Sequence, residues 1–220
     1  MRIGILGNGQ MADALGGQWT RAGHEVLVGG RDPGRATDCA ARIGAGAGTL
    51  LEASDFGEVT LLAVPATGVE ETLLAVDAPA GRFAGRTLID CTNALVPGEF
   101  TLAVPAMAER VAGLATGSQV VKAFNLAADS VWREAPHSFE GEPLGVPHCG
   151  DHAAANERVA VLIRDLGCTP IAAGGLARAS LLEATAAFAI GAWVNGADVR
   201  SLFPPLAAAF GTVHPSISRS

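Results

Sequence analysis

The fold is decided by residues 1–15, MRIGILGNGQMADAL. The short apolar run at residues 2–6 predicts a buried strand, and a helical apolar pattern begins at Gln10. Between the two lies a G-x-G-x-x-A form of the dinucleotide-binding fingerprint, whose glycines permit a tight turn and a close approach of the backbone to a pyrophosphate. Free N–H groups at the start of the helix would face the phosphates. Against the alternative of a glycine-rich turn without a ligand, the stretch predicts a dinucleotide site at Gly7, Asn8, Gly9, Gln10 and Met11.

The composition indicates a compact globular enzyme. Of the 220 residues, 49% are hydrophobic and 17% are charged, which is typical of a folded domain rather than a disordered chain. The net charge of −7 argues against nucleic acid or an anionic membrane as a partner, and no apolar run reaches the ~18–20 residues of a membrane helix. Because the first strand begins at once and no signal peptide precedes it, a cytoplasmic location is expected.

The placement of cysteines and histidines predicts no metal site. Cys39, Cys91, Cys149 and Cys168 are far apart and form no C-x-x-C pair, so we expect small buried side chains in a reducing compartment. No group of His, Cys and Asp residues has the spacing of metal ligands.

Strand-like and helix-like segments alternate along the chain, which favours a parallel α/β sheet. Strands are predicted at residues 3–6, 25–28, 59–64, 86–90, 119–123, 146–149 and 169–172. Helices are predicted at residues 10–21, 33–43, 50–54, 67–76, 105–115, 151–166 and 176–194. The predicted fold class is α/β, a Rossmann-type doubly wound, mostly parallel sheet with a small C-terminal helical part. We divide the chain into a dinucleotide-binding domain, residues 1–142, and a C-terminal part, residues 143–220, that completes an acceptor site.

Four further predictions concern a loop, a strand, a helix cap and a helix outside the fingerprint. Residues 44–48 are predicted to be a glycine-rich loop, and the strand at residues 146–149 is predicted to be an outer one. Asp151 is expected to act as the N-cap or a first-turn acid of its helix. The helix at residues 176–194 is apolar on nearly every face, which predicts burial in a core or in a subunit interface.

The end of the second strand favours NADP over NAD. NAD-binding folds place an acidic residue there to hold the ribose, whereas this chain has Gly29-Gly30-Arg31-Asp32, with Arg35 one helical turn later. Guanidinium groups suit a dianionic 2′-phosphate, so Arg31 and Arg35 are predicted to bind it. The alternative for Arg31 is a solvated surface charge. Asp32 is expected to cap the helix that begins at Pro33.

Further candidate residues follow the later strands, at the edge of the sheet where nicotinamide and ribose usually lie. They are Val64, Pro65, Ala66, Asn93, Ala123 and Asn125. Alternatives are a strand-ending role for Pro65 and Asx turns for the two asparagines. Lys122 could protonate a substrate, but a lysine that reaches solvent at the sheet edge is the expected role. His148 and His152 are expected at the surface or at a helix start.

Several motifs together resemble one family. They are the fingerprint, AGHEVLVGGR at residues 22–31, LLAVPA at 61–66, IDCTNAL at 89–95, VVKAFN at 120–125, CGDH at 149–152 and GGLARASLLE at 174–183. This set is similar to the NADPH-dependent coenzyme F420 reductases, relatives of the reductase module of the membrane ferric reductases, over about residues 1–203. The resemblance implies NADPH on the loop of residues 7–11 and a flat deazaflavin, coenzyme F420, near Asn93, Asn125 and Leu126. It also implies a homodimer, for which the helix at residues 176–194 is the predicted contact.

The chain departs from that family at two places. Gly30 stands where a hydroxyl residue often precedes the arginine of the 2′-phosphate site, so one phosphate hydrogen bond is missing. Residues 204–220 extend beyond the usual end; closing over a substrate is one role for them, and a disordered terminus is the expected one.

Hydride transfer between two bound flat rings depends on positioning more than on side-chain chemistry, so no catalytic residue is predicted. The leading hypothesis is an NADPH-dependent oxidoreductase that transfers hydride between NADP(H) and coenzyme F420, a small-molecule acceptor. A second hypothesis is direct reduction of an imine or carbonyl of a small metabolite, in which an acid such as Lys122 or Asp90 would matter. A third is a non-catalytic NADP(H)-binding sensor.

Overall fold

The computed structural model describes residues 1–202 and Ala209, so the prediction for residues 204–220 lies outside the described residues except at that one position. The strands are β1 (Arg2–Leu6), β2 (Glu25–Gly29), β3 (Gly46–Gly48), β4 (Val59–Leu62), β5 (Thr87–Asp90), β6 (Gln119–Lys122), β7 (Ser138–Phe139), β8 (Glu142–Pro143), β9 (Gly145–Gly150) and β10 (Thr169–Ala172). The α-helices are α1 (Gln10–Arg21), α2 (Pro33–Ile43), α3 (Leu50–Asp55), α4 (Val69–Ala75), α5 (Met107–Leu114), α6 (Asp129–Arg133), α7 (Ala153–Asp165) and α8 (Ala179–Val194). Short 3₁₀ helices lie at Ala66–Gly68, Ala78–Ala80, Leu176–Arg178 and Val199–Leu202.

Eight of these strands form one sheet in the order β10-β9-β6-β5-β4-β1-β2-β3. From β3 to β6 every neighbouring pair is parallel, and the order is that of the doubly wound dinucleotide-binding fold. Strand β9 is antiparallel to β6 and parallel to β10. The predicted fold class is therefore confirmed, and strands from the predicted C-terminal part continue the same sheet.

Local sequence signals explain where the early helices begin. Asp32 caps α2, since its Oδ1 accepts a hydrogen bond from the Arg35 N–H at 3.1 Å, and Pro33 occupies the first helical position. Thr49 and Glu52 form a capping box at the start of α3. Helix α1 begins after Gly9 without a side-chain cap, which leaves its N-terminal N–H groups available. The expected capping role of Asp32 is confirmed.

Apolar side chains cover both faces of the sheet, as expected for strands buried on both sides. On one face Phe124 packs edge-on between Trp19 and Trp132, with ring centroids 5.7 and 5.5 Å apart. All four cysteines are buried and unpaired, as predicted. Burial raises the pKa of the Cys168 thiol to about 11, which keeps it protonated.

Several element predictions are corrected by the structure. Part of the predicted loop at residues 44–48 is the edge strand β3, which pairs with β2. Strand β4 ends at Leu62 rather than at residue 64. Strand β9 lies inside the sheet and not at its edge. The first residues of the predicted helix at 176–194 are 3₁₀, and α8 begins at Ala179.

The C-terminal part also corrects two side-chain predictions. His148 is buried, because β9 is an inner strand, and burial lowers its pKa. His152 is exposed and is the N-cap residue of α7, as expected for a helix start. Asp151 does not cap α7; its Oδ1 accepts a hydrogen bond from the Leu176 N–H at 2.8 Å and so ties two loops together.

Within residues 1–202, none of the helices has the length and apolarity required to cross a membrane. The same part of the chain holds no group of three or more His, Cys, Asp or Glu side chains arranged to bind a metal ion.

Candidate functional site

The candidate site lies at the carboxyl ends of the parallel strands, where two adjoining cavities open. The first, which we call the Arg31 cavity, has a volume of about 390 Å³ and lies beyond β1, β2 and β4. The second, the Asn93 cavity, has a volume of about 370 Å³ and lies beyond β1, β4, β5 and β6. Both are lined by Gly9, Ala63, Val64 and Pro65, so together they form one groove along this edge of the sheet.

The fingerprint loop forms the wall that the two cavities share. Gly7 has a φ of 122°, and a β-carbon there would collide with the Ala63 carbonyl, so glycine is required at this turn. Gly9 has an ordinary φ of −88°, and a β-carbon there would meet no atom within 4 Å. The open volume next to the Gly9 α-carbon is therefore part of the groove. Asn8 lines the Arg31 cavity, and Gln10 and Met11 line the Asn93 cavity.

The Arg31 cavity combines two arginines with two carboxylates: Arg31, Arg35, Asp32 and Glu71. Arg31 Nη1 donates to Glu71 Oε2 at 2.7 Å, and both side chains are about two-thirds exposed. The carboxylate of Asp32 is already held by the start of α2. The cavity thus carries the guanidinium groups predicted for a phosphate, with one of them occupied by a neighbouring glutamate.

Gly30 is explained by the side chain of Asn8. A β-carbon at position 30 would collide with the Asn8 amide, which fills the space that a side chain there would take. The Asn8 Nδ2 makes only a long contact of 3.5 Å with the Asp32 carbonyl oxygen. An amide N–H donor therefore stands close to where the missing hydroxyl would lie.

The Asn93 cavity contains a reciprocal pair of asparagines. Asn93 Nδ2 donates to the Asn125 carbonyl oxygen at 2.7 Å, and Asn125 Nδ2 donates to Asn93 Oδ1 at 3.1 Å and to the Leu182 carbonyl oxygen at 3.1 Å. The Leu182 acceptor fixes the orientation of the Asn125 amide, because a flipped amide would set two oxygens against each other. Asn125 Oδ1 is then left buried without a hydrogen-bond partner. A buried acceptor without a partner is costly, so a ligand N–H group that reached this oxygen would be favoured.

An aromatic residue in an uncommon conformation completes this wall. Phe124 lines the Asn93 cavity with a φ of 63°, in the left-handed region that bulky residues rarely occupy. Its packing between Trp19 and Trp132 holds it there. Backbone strain at the end of β6 therefore turns the chain so that Asn125, the next residue, meets Asn93.

A buried charge cluster lies beneath the asparagine pair. Lys122, the only lysine of the sequence, is fully buried, with its Nζ 3.0 Å from Asp90 Oδ2 and 3.0 Å from Glu183 Oε1. It also donates to the Thr92 carbonyl oxygen at 2.6 Å. The expectation of a solvent-reaching lysine is wrong, because β6 is an inner strand whose end is covered by α8. We call Asp90, Lys122 and Glu183 the buried triad.

The buried triad shapes the turn that presents Asn93. Asp90 Oδ1 accepts from the Thr92 N–H at 2.9 Å and from its hydroxyl at 2.7 Å. Glu183 accepts the Met107 and Ala108 N–H groups at 2.9 and 3.0 Å and so caps α5. Neither Lys122 nor Asp90 lines the cavity, so the proton-donor role considered for them has no direct route to a substrate.

The burial of Lys122 predicts its chemical reactivity. An amine-reactive acetylating reagent is expected to modify the folded protein at most at its N-terminal amine and to modify Lys122 only in urea-unfolded protein. Mass spectrometry of the peptide that contains residues 120–125 measures this directly. Acetylation of that peptide at equal rates with and without urea would contradict the burial.

Two side chains of the Asn93 cavity can ionise among the residues described, Cys91 and Asp129. Burial raises the pKa of Cys91 to about 12, so it remains a thiol and cannot act as a nucleophile at neutral pH. Asp129 is paired with Arg133 at 2.9 Å.

Of the residues predicted to bind a ligand, all except Ala123 and Leu126 line one of the two cavities, and Leu126 lines a separate, smaller one beside Trp132. The Ala123 methyl group is fully buried in the core, and its neighbour Phe124 reaches the cavity instead. The sequence reasoning missed Glu71 and Asp129, which resemble ordinary acidic residues in the first turn of a helix. Thr92, which lies within the IDCTNAL motif, also lines the Asn93 cavity and was not predicted to do so.

Comparison with known proteins finds relatives of this chain among NADP oxidoreductases. Residues 2–94 match the family model described as NADP oxidoreductase, coenzyme F420-dependent, which confirms the resemblance predicted from the motifs. The chain is 31% identical over 183 residues to the metalloreductase STEAP3 of Rattus norvegicus, in an alignment that covers 83% of this chain and 36% of STEAP3. The chain thus spans about a third of the length of that curated relative.

Solved structures share the fold. One from Arthrobacter sp. FB24, provisionally named an F420-dependent NADP reductase, is 24% identical with a TM-score of 0.76, over 88% of this chain and 93% of that chain. A reductive aminase from Aspergillus terreus, in complex with NADPH and ethyl levulinate, is 23% identical with a TM-score of 0.67, over 89% of this chain and 62% of that chain.

Proposed function

We propose that this protein transfers hydride between NADP(H) and a deazaflavin. The premise is that residues 2–94 match the family of coenzyme F420-dependent NADP oxidoreductases. The observation that carries the proposal is the single groove at the carboxyl edge of the sheet. It runs from Arg31 and Arg35 past the fingerprint loop to Asn93 and Asn125. A dinucleotide with a phosphate at its adenosine end would be held along this path.

The residues of the groove fit NADP(H). Arg31, Arg35 and the Asn8 amide would hold the 2′-phosphate, and the N–H groups at the start of α1 would hold the pyrophosphate. Asn125 Oδ1, the buried acceptor without a partner, would accept a hydrogen bond from the carboxamide. When bound, the nicotinamide ring supplies the hydride. The chain's own part is to orient the rings with the asparagine pair and to exclude water with Val64, Pro65 and Phe124.

A deazaflavin acceptor is supported by what the Asn93 cavity contains. Its lining offers no lysine, tyrosine or histidine among the residues described, and its thiol is held neutral. Hydride transfer between two flat rings requires no acid at that place, whereas reduction of a carbonyl requires a proton donor. One observation favours the second hypothesis: the Asp129 carboxylate could face a cationic iminium, which needs no further proton.

The test is NADPH oxidation by the purified protein with coenzyme F420, FMN and FAD in parallel, followed through the absorbance of the deazaflavin. Turnover with F420 alone is the expected result. Saturable NADPH binding without turnover would overturn the deazaflavin proposal, and turnover with a cyclic imine would then support the iminium alternative. Binding without any acceptor would identify a sensor.

We also propose that the protein is a homodimer that pairs through α8. One face of this helix packs on the core, while Leu181, Phe188, Trp193 and Val194 are each about half exposed or more. Large apolar side chains exposed together on one helix are typical of an interface. Light scattering is expected to give about twice the chain mass of 22.2 kDa, and Phe188→Asp is expected to give the mass of a single chain.

The matched control is Leu74→Asp, which changes another apolar side chain, on α4, that is also more than half exposed. It is expected to leave the mass unchanged. A wild-type protein that elutes at the single-chain mass would contradict the dimer.

A further inference from the structure

Glu71 is a carboxylate of the Arg31 cavity whose charge opposes the proposed phosphate. It lies in the first turn of α4 and points its carboxylate at Arg31, with 2.7 Å between Oε2 and Nη1. In the part of the chain that the structure describes, the Glu71 carboxylate has no other hydrogen-bond partner. Both side chains line the Arg31 cavity.

We propose that Glu71 sets the preference between NADPH and NADH by competing with the 2′-phosphate for Arg31. The inference rests on the proposed binding of a dinucleotide in this groove. Arg31 Nη1 is the donor that Glu71 now occupies, and a phosphate dianion that took the guanidinium group in a two-bond fork would compete with the glutamate for it. NADH has no phosphate at that position, and the pair can persist beside it.

The other carboxylate of the cavity cannot take this role. Asp32 Oδ1 accepts the Arg35 N–H at the start of α2, so its position is fixed by the helix. Glu71 is different because its side chain is 64% exposed and long enough to turn into solvent. Exposed ion pairs are weak, so a phosphate dianion can displace the Glu71 carboxylate from Arg31. The glutamate therefore lowers the affinity for the phosphate but does not prevent the phosphate from binding.

The charge balance of the cavity indicates the same effect. Arg31 and Arg35 contribute two positive charges, and Asp32 and Glu71 contribute two negative charges. Removing the movable negative charge leaves a net positive cavity that favours a dianion over a neutral ribose.

The experiment compares the wild type with Glu71→Gln, which keeps the shape of the side chain and removes its charge. Dissociation constants for NADPH and NADH are measured through the fluorescence of the bound nucleotide. We expect the NADPH constant to fall about fivefold and the NADH constant to change less than about twofold. The increase in NADPH affinity should be smaller at high salt concentration, because the charges of Arg31 and Glu71 are both exposed and are screened by salt.

Glu70→Gln is the matched control. Glu70 lies in the same helical turn, pairs with Arg110 and does not line the cavity. It is expected to leave both constants unchanged. An NADPH constant that stays unchanged in Glu71→Gln, or that falls equally in Glu70→Gln, would overturn the competition. Absence of binding of either nucleotide to the wild type would instead overturn the proposed function, and this inference with it.

Discussion

Replacing Lys122 with methionine is expected to lower the free energy of unfolding by about 3–5 kcal/mol. Methionine fills nearly the same space, so the loss comes from charge rather than from a cavity. Asp90 and Glu183, both fully buried, would be left without the ammonium group that lies 3.0 Å from each. A buried carboxylate without a cation is strongly destabilising. Urea denaturation followed by circular dichroism measures the change.

Arg164→Met is the matched control for this prediction. It also removes one cation from an ion pair, but Arg164 and Glu157 are more than half exposed. The expected loss is below about 1 kcal/mol. Equal losses in the two variants would mean that the buried triad contributes no more than a surface pair.

The sheet could be predicted from the sequence where strands are continuous apolar runs. Strand β1 and helices α1 and α2 follow directly from hydrophobic periodicity and from the glycine and proline residues at their ends. Strand β3 could not be predicted, because a Gly-Ala-Gly segment becomes a strand only through pairing with β2. The antiparallel direction of β9 likewise depends on tertiary contacts that periodicity does not record.

The site could be predicted where residues follow strand ends, since the carboxyl ends of parallel strands meet at one edge. Asn93 and Asn125 were found in this way, and the structure brings them together. Lys122 was misjudged because its partner Glu183 lies on a distant helix, and a single charged residue at a strand end ordinarily reaches solvent. Lys122 is the only lysine of the sequence, and a chain whose other cations are all arginines is the one signal in the sequence that sets this residue apart.

Gly9→Val is expected to abolish dinucleotide binding while the protein remains folded. Gly9 has an extended conformation that any residue adopts, and a β-carbon there meets no atom within 4 Å. Valine is therefore expected to change the free energy of unfolding by less than about 1 kcal/mol. Its side chain would enter the groove shared by the two cavities, where the pyrophosphate is proposed to lie. We expect NADPH affinity to fall at least about 100-fold, which equals about 2.7 kcal/mol.

Two glycine variants separate binding from folding in this experiment. Gly113→Val adds the same side chain at another open position, on α5 and outside both cavities, and should leave NADPH affinity unchanged. Gly7→Ala places a methyl group against the Ala63 carbonyl at a φ of 122° and should lose stability as well as affinity. Fluorescence titration and urea denaturation of all three variants provide the comparison. A Gly9→Val protein that binds NADPH as tightly as the wild type would place the nucleotide elsewhere, because a ligand in this groove cannot avoid the added side chain.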